Sequence, residues 1–185
     1  VSAERMSGII DWTDRGTCCI FGDGAGAAVL GKGDGLVASH LMTKGGDDRN
    51  HNPRRAMTVP RGTKRDQRDY VRTHERPRDV QIRRDGDVRQ HQGFDGFGGR
   101  CGEDVALVIP HQANYRIINE ARRRIPDIAP EKFCINIDRY GNTSSASVPI
   151  LLDEMNRAGK IHEGDLIILA AFGGGLSAGA MIIRW

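Results

Sequence analysis

Aromatic residues make up only 5% of this 185-residue chain. That is too few to furnish the stacking surfaces of a single-strand or RNA binder. No pair of cysteines has the Cys-x-x-Cys spacing of a structural zinc site. The four cysteines, two of them adjacent as Cys18 and Cys19, do not resemble a secreted disulfide framework. No apolar run approaches the length of a membrane span, and the N-terminus lacks the charged-then-apolar order of a signal peptide. The expectation is a cytoplasmic protein with no membrane and no nucleic-acid partner. A large charge of either sign is also missing. The 27 basic and 24 acidic side chains leave a net +3, which suits an acidic partner without demanding one. The length allows one ordinary domain or a fragment of a larger one.

What is present divides into three regions. Residues 1–41 are globular in style. "TCCIFGDGAGAAVLGKG" alternates apolar stretches with glycine turns, and "GLVASHL" follows as a further strand. Residues 42–103 turn rich in Arg, Asp, Gly, His and Gln, with no sustained apolar period. Such a stretch buries too little apolar area to offset its ordering entropy, so it reads as a loose loop. A basic nucleic-acid-binding segment is the weaker alternative, because acidic residues are interleaved and aromatics are few.

Residues 104–185 return to α/β patterning. "VALVIP" suits a strand buried on both faces. "HQANYRIINEARRRI" places Ala113, Ile117, Ile118, Ala121 and Ile125 on one helical stripe, and Pro126 ends it. "FCINI" is the next strand and "DRYGNTSSAS" a polar loop. "VPILLDEMNRAGK" is a helix, with Ser147 able to cap it, Pro149 suited to its first turn and Gly159 as its stop. "DLIILAAF" and the stretch after "GGG" are strands. The order β-α-β-α-β-β implies mostly parallel neighbours. "FGDGAGAAVLGK" (21–32) also echoes "FGGGLSAGAMIIR" (172–184), which suggests two related halves.

Gly22, Gly24 and Gly26 could cradle a phosphate, but no Lys-Ser/Thr follows and the next residues read as a strand. A tight turn that lets backbone pack closely fits better. His111 ends one strand, and Asn142 lies in a loop after another. Both fall where α/β sheets gather ligands. A neutral imidazole and an amide are both N–H donors. Two donors converging on one point would make an oxyanion hole, although a lone histidine at a strand end is often structural.

The wording of "WTDRGTCCIFGDGAGAAVL", "PHQANYRI", "IDRYGNTSSASVPILLDE" and "GDLIILAAFGGGLSAGAMIIRW" resembles the C-terminal part of β-ketoacyl-acyl-carrier-protein synthase III. The resemblance covers residues 1–41 and 104–185. It implies an α/β fold, the thiolase-like layered α-β-α-β-α architecture. Here that would be the end of the N-terminal half plus most of the C-terminal half. It implies a condensing enzyme of type II fatty-acid synthesis. Such an enzyme joins malonyl-acyl-carrier protein to an acyl-CoA primer by decarboxylative Claisen condensation, with a Cys-His-Asn triad and neither metal nor other cofactor. By resemblance His111 and Asn142 stabilise the thioester oxyanion. Asn114 contacts the pantetheine arm, Arg116 docks the acyl carrier protein, and Phe172 lines the pocket. Arg116 as one more solvated charge and Phe172 as strand-end packing stay open. A homodimer is implied for the intact enzyme.

Three departures accompany the match. None of Cys18, Cys19, Cys101 or Cys134 stands in the family's nucleophile setting, so a catalytically incompetent fragment, at most binding carrier protein, is the alternative. Cys18, Cys19 and Cys134 fall in expected strands, as small hydrophobes. Gly8 stands where the family often has an arginine toward the CoA adenine. Residues 42–103 retain only scraps, "AMTVP" (56–60) and "IRRDG" (82–86), and then "EDVALVIP" returns abruptly. A translated frameshift explains that pattern better than an insertion.

Overall fold

The computed structural model describes residues 1–43, 102–173 and 177–185. The readings of the middle segment, and Cys101, lie outside the described residues. A four-stranded sheet forms the centre, in the order β3-β6-β5-β4: β3 is Leu36–Thr43, β4 Val105–Pro110, β5 Leu166–Gly173 and β6 Ser177–Arg184. Only β4 and β5 run parallel, and the other two pairings are antiparallel. The expectation of mostly parallel neighbours is therefore corrected. β6 pairs antiparallel directly beside β5, which requires no crossover.

Alternation along the strands builds a core on each face. Val108, Ile168 and Ile182 pack with Ile128 and Phe133 on one side. Ile109 and Ile167 pack with Leu151 and Ile161 on the other. The expectation that "VALVIP" is covered on both faces holds. Helix α1 (Tyr115–Arg124) follows β4, and its Ile118 and Ala121 are buried as the stripe requires. The next residue of that stripe, Ile125, packs into the first core, and the helix stops before Pro126. After the short α2 (Ile137–Tyr140), helix α3 (Ser147–Arg157) lays Val148, Leu151, Leu152 and Met155 on the second core. Full burial of Leu151 contributes about 1.5–3 kcal/mol, and the partly buried Val148, Leu152 and Met155 each contribute less. Gly159, at φ +66°, closes α3 in the left-handed conformation that glycine adopts without strain.

Three strand expectations are corrected. Cys18 and Cys19 lie in successive turns, because Asp14 gathers the chain. Its carbonyl accepts from the Thr17 and Cys18 N–H groups and its carboxylate from Gly16 and Thr17. The strand expected after the glycine turn is only Gly24–Gly26, β2, which pairs with β1 (Ser2–Glu4). Val29 and Leu30 beyond it are 100% and 92% exposed. "FCINI" keeps a single bridge, Phe133 to Val108, with Cys134 N–H donating to Val108 O. The chain then turns away because a side chain from β4's end captures the Asn136 and Ile137 amides, as described below. β3, grouped by sequence with residues 1–41, pairs with β6 and so belongs to the sheet of residues 104–185.

Candidate active site

β4 ends in a polar knot. Gln112 is fully buried and its side chain makes four hydrogen bonds. Its Nε2 donates to Pro110 O and Cys134 O, and its Oε1 accepts from the Asn136 and Ile137 N–H groups. Three are of ordinary length and the bond to Cys134 O is longer, at 3.4 Å; an unpaired buried amide would cost about 1–3 kcal/mol. This knot converts the expected end of "FCINI" into the start of α2. Sequence reading assigned Gln112 no role. The available signal was a polar side chain directly between a buried strand and an apolar stripe.

His111 continues β4 by one residue, its N–H donating to Ala170 O at 2.7 Å. Its ring meets Phe172 edge-on, with centroids 5.5 Å apart and planes at 72°. Its Nδ1 lies 2.6 Å from Ser147 Oγ, which also accepts from the Gln112 N–H at 3.2 Å. Ser147 was expected to cap α3. Ala146 stands at the cap position instead, Ser147 is the helix's first residue, and its hydroxyl bonds the β4 end.

Asn142 sits on the loop between α2 and α3. Its N–H donates to Ile20 O at 2.8 Å, and its carbonyl accepts from Gly22 N–H at 3.1 Å. This is a one-residue parallel bridge to Phe21. Its side-chain Oδ1 accepts from Ser144 N–H at 2.9 Å, which assigns the amide and leaves Nδ2 as the atom able to donate elsewhere. Glycines make the approach possible. A Cβ on Gly22 would lie 2.0 Å from Tyr140 O, and one on Gly141, at φ +67°, 2.7 Å from Ile20 O. The close packing expected of Gly22, Gly24 and Gly26 is what the structure has, but along a strand and not in a turn: within β2, Gly24 abuts Ile150 and Gly26 abuts Pro149. Ser145 Oγ donates to Glu4 at 2.6 Å, a further tie between the N-terminal segment and this loop. That bond holds the Glu4 carboxyl below its ordinary value.

Glu154 braces the same loop from α3. Its carboxylate accepts from Asn136 Nδ2 at 2.7 Å, Tyr140 Oη at 2.7 Å and Arg139 at 2.9 Å. Burial pushes its carboxyl up. The Tyr140 and Asn136 hydrogen bonds and the Arg139 charge outweigh it and leave the group below the usual carboxylate value. A lowered folded pKa gives stability that is present above the unfolded value, about 4.3, and lost as pH falls through the folded one. In urea melts at pH 7, Glu154→Gln is expected to cost about 1–2 kcal/mol. The gap to the parent should close as pH falls below about 4. An unchanged gap at acid pH would remove Glu154 from the brace.

Asn114 caps α1, its Oδ1 accepting from Arg116 N–H at 2.8 Å. Arg116 is exposed in the first turn. Beside His111 the described residues form a small cleft of about 60 Å³, bordered by His40, Met42, Ile117, Ala170 and Phe172. It is far below the ~300–1,000 Å³ of small-molecule sites. The structure therefore brings Phe172 and Ser147 onto His111 and fixes Asn142 on the loop that leads to Ser147. Asn114 and Arg116 lie on the helix that begins three residues after Gln112. At Gly8 an added Cβ would meet only the Arg5 side chain, at 3.6 Å.

The cysteines differ among themselves. Burial pushes the Cys134 thiol up to about 11, against a small opposing effect of Lys160. Cys19 is exposed, its thiol on Arg15 O. At pH 8, iodoacetamide is expected to modify Cys19 and to spare Cys134 until denaturant is added. Peptide mass mapping reads the difference, and native labelling of Cys134 would contradict its burial. Among the described residues no group of three His, Cys, Asp or Glu side chains is placed to hold a metal ion. No helix among them is long and apolar enough to cross a membrane.

Comparison with known proteins follows the same lines. Residues 99–185 match the family described as 3-oxoacyl-[acyl-carrier-protein] synthase III C terminal, and residues 1–45 match 3-oxoacyl-[acyl-carrier-protein] synthase III. The chain is similar to the β-ketoacyl-[acyl-carrier-protein] synthase III of Caldanaerobacter subterraneus subsp. tengcongensis. Identity is 40% over 192 residues, covering 100% of this chain and 57% of the relative. The enzyme of that name from Bacillus pumilus is 41% identical, with 100% and 56% covered. The crystal structure of 3-oxoacyl-[acyl-carrier-protein] synthase III from Aquifex aeolicus VF5 superposes with a TM-score of 0.73 at 32% identity. That match covers 99% of this chain and 56% of the other. The chain thus spans 56–57% of the length of these proteins, and the α/β fold is the thiolase-like one expected. Two separate stretches of sequence and the path of the backbone agree: this chain belongs to the 3-oxoacyl-[acyl-carrier-protein] synthase III family.

Proposed function

We propose that this chain carries the oxyanion-binding half of a decarboxylating condensing site in type II fatty-acid synthesis. Its substrates would be malonyl-acyl-carrier protein and an acyl-CoA primer. In the step assigned to it, the bond between the malonyl α-carbon and its carboxylate breaks and CO2 leaves. The electron pair moves into the thioester as an enolate. Negative charge grows on the thioester oxygen, where the His111 ring N–H and Asn142 Nδ2–H would donate. One observation carries the reading: each donor is held from behind by a bond within the protein. Ser147 holds His111 at Nδ1, and Ser144 N–H holds Asn142 at Oδ1. Preorganised donors need no reorganisation as charge develops.

Phe172 lines this site through its edge contact with His111. Asn114, its Oδ1 engaged as a cap, would use Nδ2 toward the pantetheine arm. Arg116 would meet the acidic carrier protein, and the working enzyme would be a homodimer without metal or other cofactor. A second reading, a scaffold that binds carrier protein without chemistry, is favoured by the cysteines among the described residues. Cys134 is buried with a raised pKa, and Cys18 and Cys19 sit in turns.

The test is CO2 release from malonyl-carrier protein, a partial reaction that needs the donors and not a nucleophilic cysteine. Release that His111→Ala and Asn142→Ala both abolish supports the first reading. No release from a chain shown to be folded supports the second.

A further inference from the structure

We propose that Ser147 is a positioning residue whose hydroxyl sets the tautomer of the His111 ring. Its consequence rests on the oxyanion reading above, whereas its geometry does not. Ser147 Oγ lies 2.6 Å from His111 Nδ1 and 3.2 Å from the Gln112 backbone nitrogen. The second contact has one sense: an amide N–H donates, so Oγ accepts. A serine hydroxyl has one hydrogen and two lone pairs. Ser147 is 2% exposed, and among the described residues its Oγ has no other hydrogen-bond partner.

Two arrangements are available. With its proton on Nδ1, His111 would make the hydroxyl accept twice, leaving the serine hydrogen buried without an acceptor, which folded interiors rarely tolerate. With Oγ–H donating to Nδ1, Ser147 Oγ, His111 Nδ1 and the Gln112 N–H are all satisfied. His111 then carries its hydrogen on Nε2, the nitrogen turned away from Ser147. A neutral imidazole in that form is a donor at Nε2. The other tautomer would present a lone pair there and repel a developing oxyanion. Phe172 at the ring's side and the backbone bond to Ala170 restrain the ring against turning over. Ser147 acts through His111 and touches no reacting atom.

The test is long-range proton–nitrogen NMR of the 15N-histidine-labelled full chain, at a pH where imidazole is neutral. The His111 signals are identified by their loss in His111→Gln. The parent is expected to show a single tautomer, Nδ1 unprotonated and Nε2 protonated. Ser147→Ala should show both tautomers at His111, and Ser147→Thr, which keeps the hydroxyl, should restore one. Thermal melts beside the parent show that the variants fold. A parent ring protonated on Nδ1 overturns the proposal without any variant, and so does a Ser147→Ala ring that keeps the Nε2–H form alone. If the NMR behaves as expected and the parent releases no CO2, the tautomer assignment stands and the condensing reading falls.

Discussion

Replacing His111 with alanine is expected to slow CO2 release from malonyl-carrier protein by about 10²–10³-fold, or ~2.7–4 kcal/mol. Asn142→Ala should cost a similar factor. Loss of one preorganised donor leaves the other facing an oxygen whose charge is still growing, and water in an open cleft is a poor substitute. The two donors act on one atom, so the double variant should fall only slightly below either single one. Structural collapse would imitate this result. His111→Ala also deletes the Phe172 edge contact and the Ser147 bond, so each variant must be melted beside the parent. A folded His111→Ala chain that releases CO2 at the parent rate would end the oxyanion reading.

The second large effect belongs to a residue with no side chain. Gly22→Ala sets a methyl 2.0 Å from the Tyr140 carbonyl oxygen, which is backbone and cannot swing aside. Gly141 meets Ile20 from the opposite direction, so neither strand can retreat without breaking the Asn142–Ile20 and Gly22–Asn142 bonds. The expected cost is at or above the ~3 kcal/mol upper range of overpacking, a fall of about 6–12 °C in Tm for a chain of this size. Because the same bridge aims Asn142, CO2 release should drop further, by about 10²-fold, even where the variant is folded. Gly33 is the control. An added methyl there meets nothing within 4 Å, so Gly33→Ala should stay within about 0.5 kcal/mol of the parent. Equal melts for Gly22→Ala and Gly33→Ala would show that the 20–22 segment does not pin the loop.

Both effects come from one mechanical arrangement. Three parts of the chain meet around residues 140–147: the N-terminal segment through Ile20 and Gly22, the end of β4 through His111 and Gln112, and α3 through Glu154. The loop is short of hydrophobic anchors, yet it is held by directional bonds on every side. Such a loop keeps its donors in place without a large buried area beneath it.

Periodicity alone determined the elements that bury a regular face: β4, β5 and β6 by their apolar runs, α1 by its stripe from Ile117 to Ile125, and α3 by Val148, Leu151, Leu152 and Met155. Chain stops were equally legible, because Pro126 lacks an N–H and Gly159 accepts a left-handed turn. His111 and Asn142 could be singled out because each offers a donor side chain, one at a strand end and the other in a polar loop. Periodicity misplaced the segments whose backbone is governed by a side chain elsewhere. Cys18 and Cys19 follow Asp14 into turns, "FCINI" yields to Gln112, and Ser147, expected as a cap, bonds a histidine 36 residues away. A residue's own hydrophobicity and its neighbours' spacing determine whether it is buried and in what local geometry. Which distant polar atom it meets there depends on how the layers stack. Only the tertiary structure therefore decided that Ser147 stands behind His111 and that a glycine near residue 20 holds Asn142 in position.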